Sequence, residues 1–364
     1  VSRIDTRGRA PLRRRAEPLV RTGRRELWFD GARASGRVPV RALAVCAALA
    51  AVIVVVGIAS LTIGSYALDP ATVLRALVDP AADPDARQVV FEWRLPRLLF
   101  AVLTGAALAL SGGIFQSLTR NPLGSPDIIG FGVGAQFGVT LTLVVLGLNT
   151  YLFKAAGALI GGLLTALLVY ALAAKRTTSS FRLIIVGIGV AAGLGSLSSW
   201  ILISVSVEQA MMVATWGAGT LASLGFEQLL PAALVFAVVV CASLPLARTL
   251  PLLELGDDAA AALGIRPGRL RFGAMLAGVA LVALVTAAAG PISFIALAAP
   301  QICQRLIRSN TPMGTLPLML TGAVLVVVSD AIAQLALVPV GVVTVSLGGL
   351  YLAWLLAVQY RRTP

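Results

Sequence analysis

The chain has 364 residues, 58% of them hydrophobic and 12% charged, with a mean hydropathy of +0.92 and a formal net charge of +13. Soluble domains run at about 45–50% apolar and about 25% charged residues, so this chain has too little polar surface to cover a globule in water. A soluble enzyme, a disulfide scaffold and a disordered chain are excluded, and an all-α polytopic membrane protein remains.

In chain order, the first element is an arm. Residues 1–41 hold twelve Arg against four acids (Asp5, Glu17, Glu26, Asp30). Residues 1–42 read as a disordered cytoplasmic tail that also sets topology by the positive-inside rule, in preference to a nucleic-acid-binding arm. No small-x-small cleavage site closely follows a short apolar core, so it does not read as a signal peptide. Nine runs are long enough to cross a bilayer, which takes about 20 residues. They lie near 43–68, 98–118, 129–148, 152–174, 183–207, 229–247, 270–289, 315–337 and 340–358. A tenth, 291–307, is short and carries Pro291, Pro300, Gln301 and Arg305. Charge brings it in. With the Arg-rich start and Arg361–Arg362 both inside, the number of crossings is even. The basic segments 248–271 and 305–308 share one side only if the chain between them crosses twice, with Gly290-Pro291 turning at the far side. Ten helices place 24 of the 29 Lys and Arg inside, leaving Arg75, Arg87, Arg94, Arg97 and Lys154 outside. Residues 208–228, bounded by Glu208 and Glu227, read as a short external or re-entrant helix pair.

Residue types narrow the chemistry. There is no His, and Cys46, Cys241 and Cys303 lie far apart in or beside apolar runs, as small buried hydrophobes do. The clustered ligands of zinc or haem sites are missing, so no metal site is expected. The only lysines, Lys154 and Lys175, follow Phe and Ala, which excludes a Gly-x-x-x-x-Gly-Lys phosphate loop. Whatever the chain moves or binds, an energy source must lie elsewhere. Ionisable groups are nearly absent from the spans: Asp330 lies in the ninth helix toward its outer end, and Asp127 just precedes the third. Without a carboxylate relay, an ion-coupled secondary transporter and a membrane hydrolase are both disfavoured, and the path is expected to lack strong charge. Glycines four apart (Gly130/Gly134/Gly138, Gly157/Gly161, Gly189/Gly193) suit close helix packing in lipid.

Four segments carry more. In Arg94-Leu95-Pro96-Arg97, Pro96 disfavours helix at Leu95 and starts the next one, fixing two guanidinia at the outer mouth for carboxylate capture. Residues 116–134 hold Asn121-Pro122 and Ser125-Pro126, a structured cytoplasmic turn, with Asp127 placed for the dipole of the following helix. In Glu254-Leu255-Gly256-Asp257-Asp258, the four alanines 259–262 and Leu263-Gly264, Asp257 is an N-cap, the alanines (Ala260 among them) form helix and Gly264 stops it before Pro267. Such a short helix at the membrane surface suits docking of a cytoplasmic partner. The fourth is Gly290-Pro291 through Pro300-Gln301, then Ser329-Asp330, Pro339 to Thr344 including Gly341, and Leu347 to Gly349.

Together these segments resemble the FecCD-type permeases, membrane subunits of bacterial ATP-driven importers of ferric siderophores, vitamin B12 and haem. The matching pieces run in order from about residue 43 to 360: RLPR (94–97), residues 105–135, LGDDAAAALG (255–264), GPISFIALAAP (290–300) and PVGVVT (339–344). The variants at 298–301 and 348–351 look most like ferric-enterobactin-type permeases. The resemblance implies a ten-helix type II importer fold over 43–360, in the bacterial cytoplasmic membrane with both termini inside. It implies a second permease subunit (a heterodimer favoured over a homodimer), two ATPases on the 254–264 segment, and an extracytoplasmic binding protein meeting Arg94 and Arg97. ATP and Mg would be held by the partners, with no cofactor on this chain and no nucleic acid. The implied cargo is an iron–siderophore complex, with vitamin B12 or haem as the alternative. The chain departs from the pattern at three places: a third docking Arg is Gln334, a common His is Gln301 and a usual Pro is Leu350.

Overall fold

The computed structural model describes residues 26–31, 34–64, 66–79, 83–173, 180–222, 224–254, 256–308 and 315–360. The chain divides into two units, residues 1–44 and 45–364. In the first, strand β1 (Glu26–Gly31) pairs antiparallel with β2 (Ala34–Pro39), Glu26 opposite Pro39 and Gly31 opposite Ala34. This ribbon falls within the arm read from the sequence as a disordered tail. Residues 1–25 lie outside the described residues, as do Leu255 and Arg361–Arg362.

Every apolar run becomes a helix. The helices are α1 (Val40–Ser60), α2 (Pro70–Val78), α3 (Pro84–Gln88), α4 (Leu95–Thr119), α5 (Phe131–Thr140), α6 (Tyr151–Ala173) and α7 (Ser180–Ile203). They continue as α8 (Val207–Gly217), α9 (Phe226–Glu254), α10 (Asp257–Ala262), α11 (Pro267–Ala289), α12 (Ile295–Ile307), α13 (Thr315–Ala336) and α14 (Val340–Tyr360). Among the described residues, seven are long and apolar enough to span a membrane, and three shorter apolar helices (131–145, 295–307, 340–354) complete ten. The segment 208–228 supplies only one helix, α8, capped by Ser206, whose Oγ accepts from the Gln209 N–H at 3.3 Å. Among the described residues between α8 and α9 no second helix forms, and Gly219 (φ 68°) and Gly225 fall in that stretch.

Helix α4 is the hub, packed against α9, α11, α12 and α13. Its glycines set the spacing. A Cβ on Gly105 would lie 2.2 Å from the Gly322 carbonyl oxygen of α13, and one on Gly112 only 1.8 Å from that of Ala296 on α12. Gly134 and Gly138 of α5 cross Gly161 and Gly157 of α6 in the same way. Phe100, Phe115, Phe131 and Leu281 fill the core around these contacts. A second, smaller core joins Leu61 and Leu68 to Val73, Ala76, Ala86, Val89 and Val90 at the N-terminal end of α4.

Pro96 does not separate two helices. Residues 89–94 widen into a π-helical turn, with Leu95 N–H bonded to Val90 O, so the rod runs on from α3 into α4. The wider turn accommodates a residue that has no N–H and whose ring crowds the preceding carbonyl. The turn at Gly290-Pro291 is packed against the end of α8: Gly290 is buried, with the Trp216 carbonyl oxygen 2.4 Å from where its Cβ would be. Helix α12, at 13 residues, is about 20 Å long and too short to cross about 30 Å of hydrocarbon alone.

Candidate functional site

At the N-terminal end of α4, both guanidinia are engaged. Arg94 Nη1 donates to Leu61 O at 2.6 Å and Nη2 to Tyr66 O, gathering the chain that leaves α1. Arg97 donates through Nε (3.1 and 3.0 Å) and Nη2 (2.9 Å) to the Asp330 carboxylate of α13. Gln334, one turn on, donates to the same carboxylate at 2.8 Å. Asp330 is 3% exposed and the Arg97 side chain 21%, so the fork-to-carboxylate pair is partly desolvated. Two of the three expected docking positions, Arg97 and Gln334, thus meet around one buried acid, and Arg94 stands apart. Hydropathy cannot show this, because the partners are 233 residues distant.

At the other end of α4, Arg120 adopts left-handed backbone geometry (φ 49°) and its Nη2 donates to Leu253 O in the last turn of α9. Helix α10 comes next. Its N-cap is Gly256, at φ 110°, a conformation that favours glycine, and Asp257 is the first helical residue instead of the expected cap. The stop at Gly264 (φ 81°) is as expected. Gly264 N–H bonds Ala261 O at 2.9 Å and Ile265 N–H bonds Ala260 O at 3.1 Å, the paired bonds of a Schellman motif. Ala260 is buried against the core, whereas Asp258, Ala259 and Leu263 are exposed. The result is a stapled, outward-facing surface held on one alanine. Nearby, Asn121 Oδ1 accepts from Leu123 N–H at 2.9 Å to form the turn before α5. Gln301 Nε2 reaches both Gln116 Oε1 (3.0 Å) and Pro122 O (3.2 Å), giving the residue in the usual His position a role of its own.

Away from α4, a cavity of about 420 Å³ is lined by residues of α5, α8 and α14 and of the turns beside them. It sits where four chain breaks meet: the start of α5, the end of α8, the α11–α12 turn and the start of α14. The Gly219 backbone fits against Pro291 O, and Gly341 against Ala218 O. Thr220 N–H bonds Ala289 O at 2.7 Å and Gly341 N–H bonds Gly219 O at 3.1 Å. Pro339 lies just before this contact, and Gly130 begins α5 beside Ala191 of α7. Pro300 is buried within α12. The polar lining is Asp127, Gln136, Ser293 and Ser346. Asp127 is exposed to the cavity; desolvation by the surrounding protein raises its carboxyl above the usual carboxylate range, against the opposing pull of a hydrogen bond from Phe294 N–H. Asp127, read from the sequence only as a dipole partner, is brought here beside Gln136, Ser293 and Ser346. Among the described residues, no three His, Cys, Asp or Glu side chains come together to hold a metal ion.

Residues 52–358 match the FecCD transport family. The chain belongs to that family. It is 45% identical over 326 residues to the ferric enterobactin transport system permease protein FepG of Escherichia coli, covering 88% of this chain and 98% of that protein. It is 34% identical to the Fe(3+) dicitrate transport system permease protein FecD of Escherichia coli (77% and 88% covered). It is 31% identical to the iron(3+)-hydroxamate import system permease protein FhuG of Bacillus subtilis (84% and 94% covered). A solved inward-facing metal-chelate type ABC transporter superposes with a TM-score of 0.76 at 30% identity, over 86% of this chain and 99% of that one. The fold of this FecCD family member is the ten-helix type II importer architecture.

Proposed function

We propose that the chain is the permease subunit of an ATP-driven importer, passing an iron–siderophore complex across the bacterial cytoplasmic membrane. It is a transport subunit and not an enzyme. The observation that carries this reading is α10: six residues, capped by Gly256 and stapled at Gly264, too short to span and exposed on most of its surface. Such a helix is suited to receiving force from a cytoplasmic ATPase. Two ATPase subunits would sit against α10, holding ATP and Mg, and a second permease would complete the path, a different chain in preference to a copy. Nucleotide-driven closure would bias the bundle toward one access state by differential contact.

Both termini are proposed to be cytoplasmic, which puts the Arg94–Arg97 end outside. A binding protein would dock there. Because Nε and Nη2 of Arg97 are spent on Asp330, Nη1 is the group left for an incoming carboxylate, so Arg97 acts as a pre-oriented anchor and Arg94 as the tie that shapes the mouth. The test is radioiron–siderophore uptake by cells lacking their own permease but supplied with this chain, a partner permease, the ATPase and the binding protein. Uptake that is abolished by an ATPase-dead partner and survives collapse of the proton gradient is expected. Uptake that tracks the proton gradient without an ATPase would place the chain among ion-coupled carriers instead.

A further inference from the structure

The cavity where the four chain breaks meet has a lining chemistry of its own. Among the described residues it holds one carboxylate, Asp127, and no Lys or Arg, with Gln136, Ser293 and Ser346 as the other polar groups. Val342 and Val345, both 46% exposed, form the wall that carries Ser346. Ser346 Oγ donates back to Val342 O at 2.9 Å, so its lone pairs are the part turned to a visitor. An ionised carboxylate only accepts hydrogen bonds, and the amide and hydroxyls serve either way. The set is complementary to a surface rich in donors. Discontinuous helices around such a cavity are a recurring way to build a polar site inside a membrane protein.

We propose that this cavity is a cargo-contact site in which Asp127, Gln136, Ser293 and Ser346 hold the donor-bearing face of an iron chelate, meaning its ammonium, amide N–H or hydroxyl groups. Asp127 is the specificity-determining residue. The proposal rests on the import reading, and the two are separable.

The experiment uses the complete transporter in proteoliposomes, with exposed Cys241 replaced (Cys241→Ser) and Val342→Cys as reporter; Val345→Cys on the same wall is the second reporter. Labelling by a trimethylammonium-bearing thiosulfonate is compared with labelling by a sulfonate-bearing one of similar size. The cationic reagent is expected to react several-fold faster, and Asp127→Asn to remove that preference, a ratio that does not depend on how much protein is made. During turnover, a ferric trihydroxamate carrying a free ammonium is expected to slow labelling several-fold in the Asp127 protein and not in Asp127→Asn. A charge preference untouched by Asp127→Asn overturns the proposal. So does protection by a ferric tricatecholate alone. If radioiron uptake proceeds while no chelate slows labelling at either reporter, the cargo travels elsewhere and the import reading stands. If no chelate is taken up at all, the import reading falls and this site with it.

Discussion

Helices α4 and α7 are alike in length, hydropathy and glycine content, yet they do opposite things. The most apolar window of the α3–α4 rod is 78% buried, that of α7 only 11%. Glycines of α4 meet backbone at contact distance, whereas Gly189, Gly193 and Gly195 of α7 have nothing within 4 Å. The same residue type thus marks a formed interface in one helix and an open face in the other. Composition tells that a glycine permits close approach; only the fold tells whether anything approaches.

Filling the gaps probes this contrast most directly. Gly112→Leu drives a side chain into the Ala296 carbonyl, with no flexible neighbour to yield. It should prevent accumulation of folded chain, read by fluorescence-detected size exclusion. Gly193→Leu should leave the isolated chain at normal levels; equal loss in both would erase the distinction. Next in size, Arg97→Ala leaves Asp330 buried with Gln334 as its remaining partner and should cost about 3–5 kcal/mol, seen as a lowered thermal midpoint in detergent. Asp330→Asn should recover part of that loss in the double variant. Reversing Arg97 to Glu is consequently a poor test of docking, since it sets two carboxylates together inside the protein.

Smaller global effects are expected away from the hub. Ala260→Pro should cost about 3 kcal/mol within α10 while the ten-helix body still folds; ATPase co-purification should fall and chain level hold. Smallest of all, Gln301→Ala removes hydrogen bonds that tie α12 to the Pro122 turn and should cost about 1 kcal/mol, detectable as faster hydrogen exchange around 121–124.

The ten helices were legible because long apolar runs permit few other structures, and the short α12 was legible only through charge placement. The stop of α10 could be read from four alanines, Gly264 and Pro267, each with a local conformational preference. Its start could not, because Gly256 took the cap at a backbone angle that Asp257 fits poorly. The two guanidinia were legible in the sequence but their intramolecular partners were not, since Asp330, Leu61 and Tyr66 come to them through tertiary folding. Likewise the glycine spacing pointed only to close helix packing in general; that Gly134 and Gly138 meet Gly161 and Gly157, and Gly105 meets Gly322, comes from the fold.

The widened turn at 89–94 has an effect beyond seating a proline. One additional residue in a helical turn rotates the N-terminal part of the rod by about 100° relative to the C-terminal part. Ala86, Val89 and Val90 can therefore point into the small core while Phe100 and Ala101 point into the large one, with Leu98 touching both. A single inserted position lets one continuous rod serve as the axle of two separate packing centres. Deleting one residue there would restore a regular helix and swing the small core's anchors toward lipid.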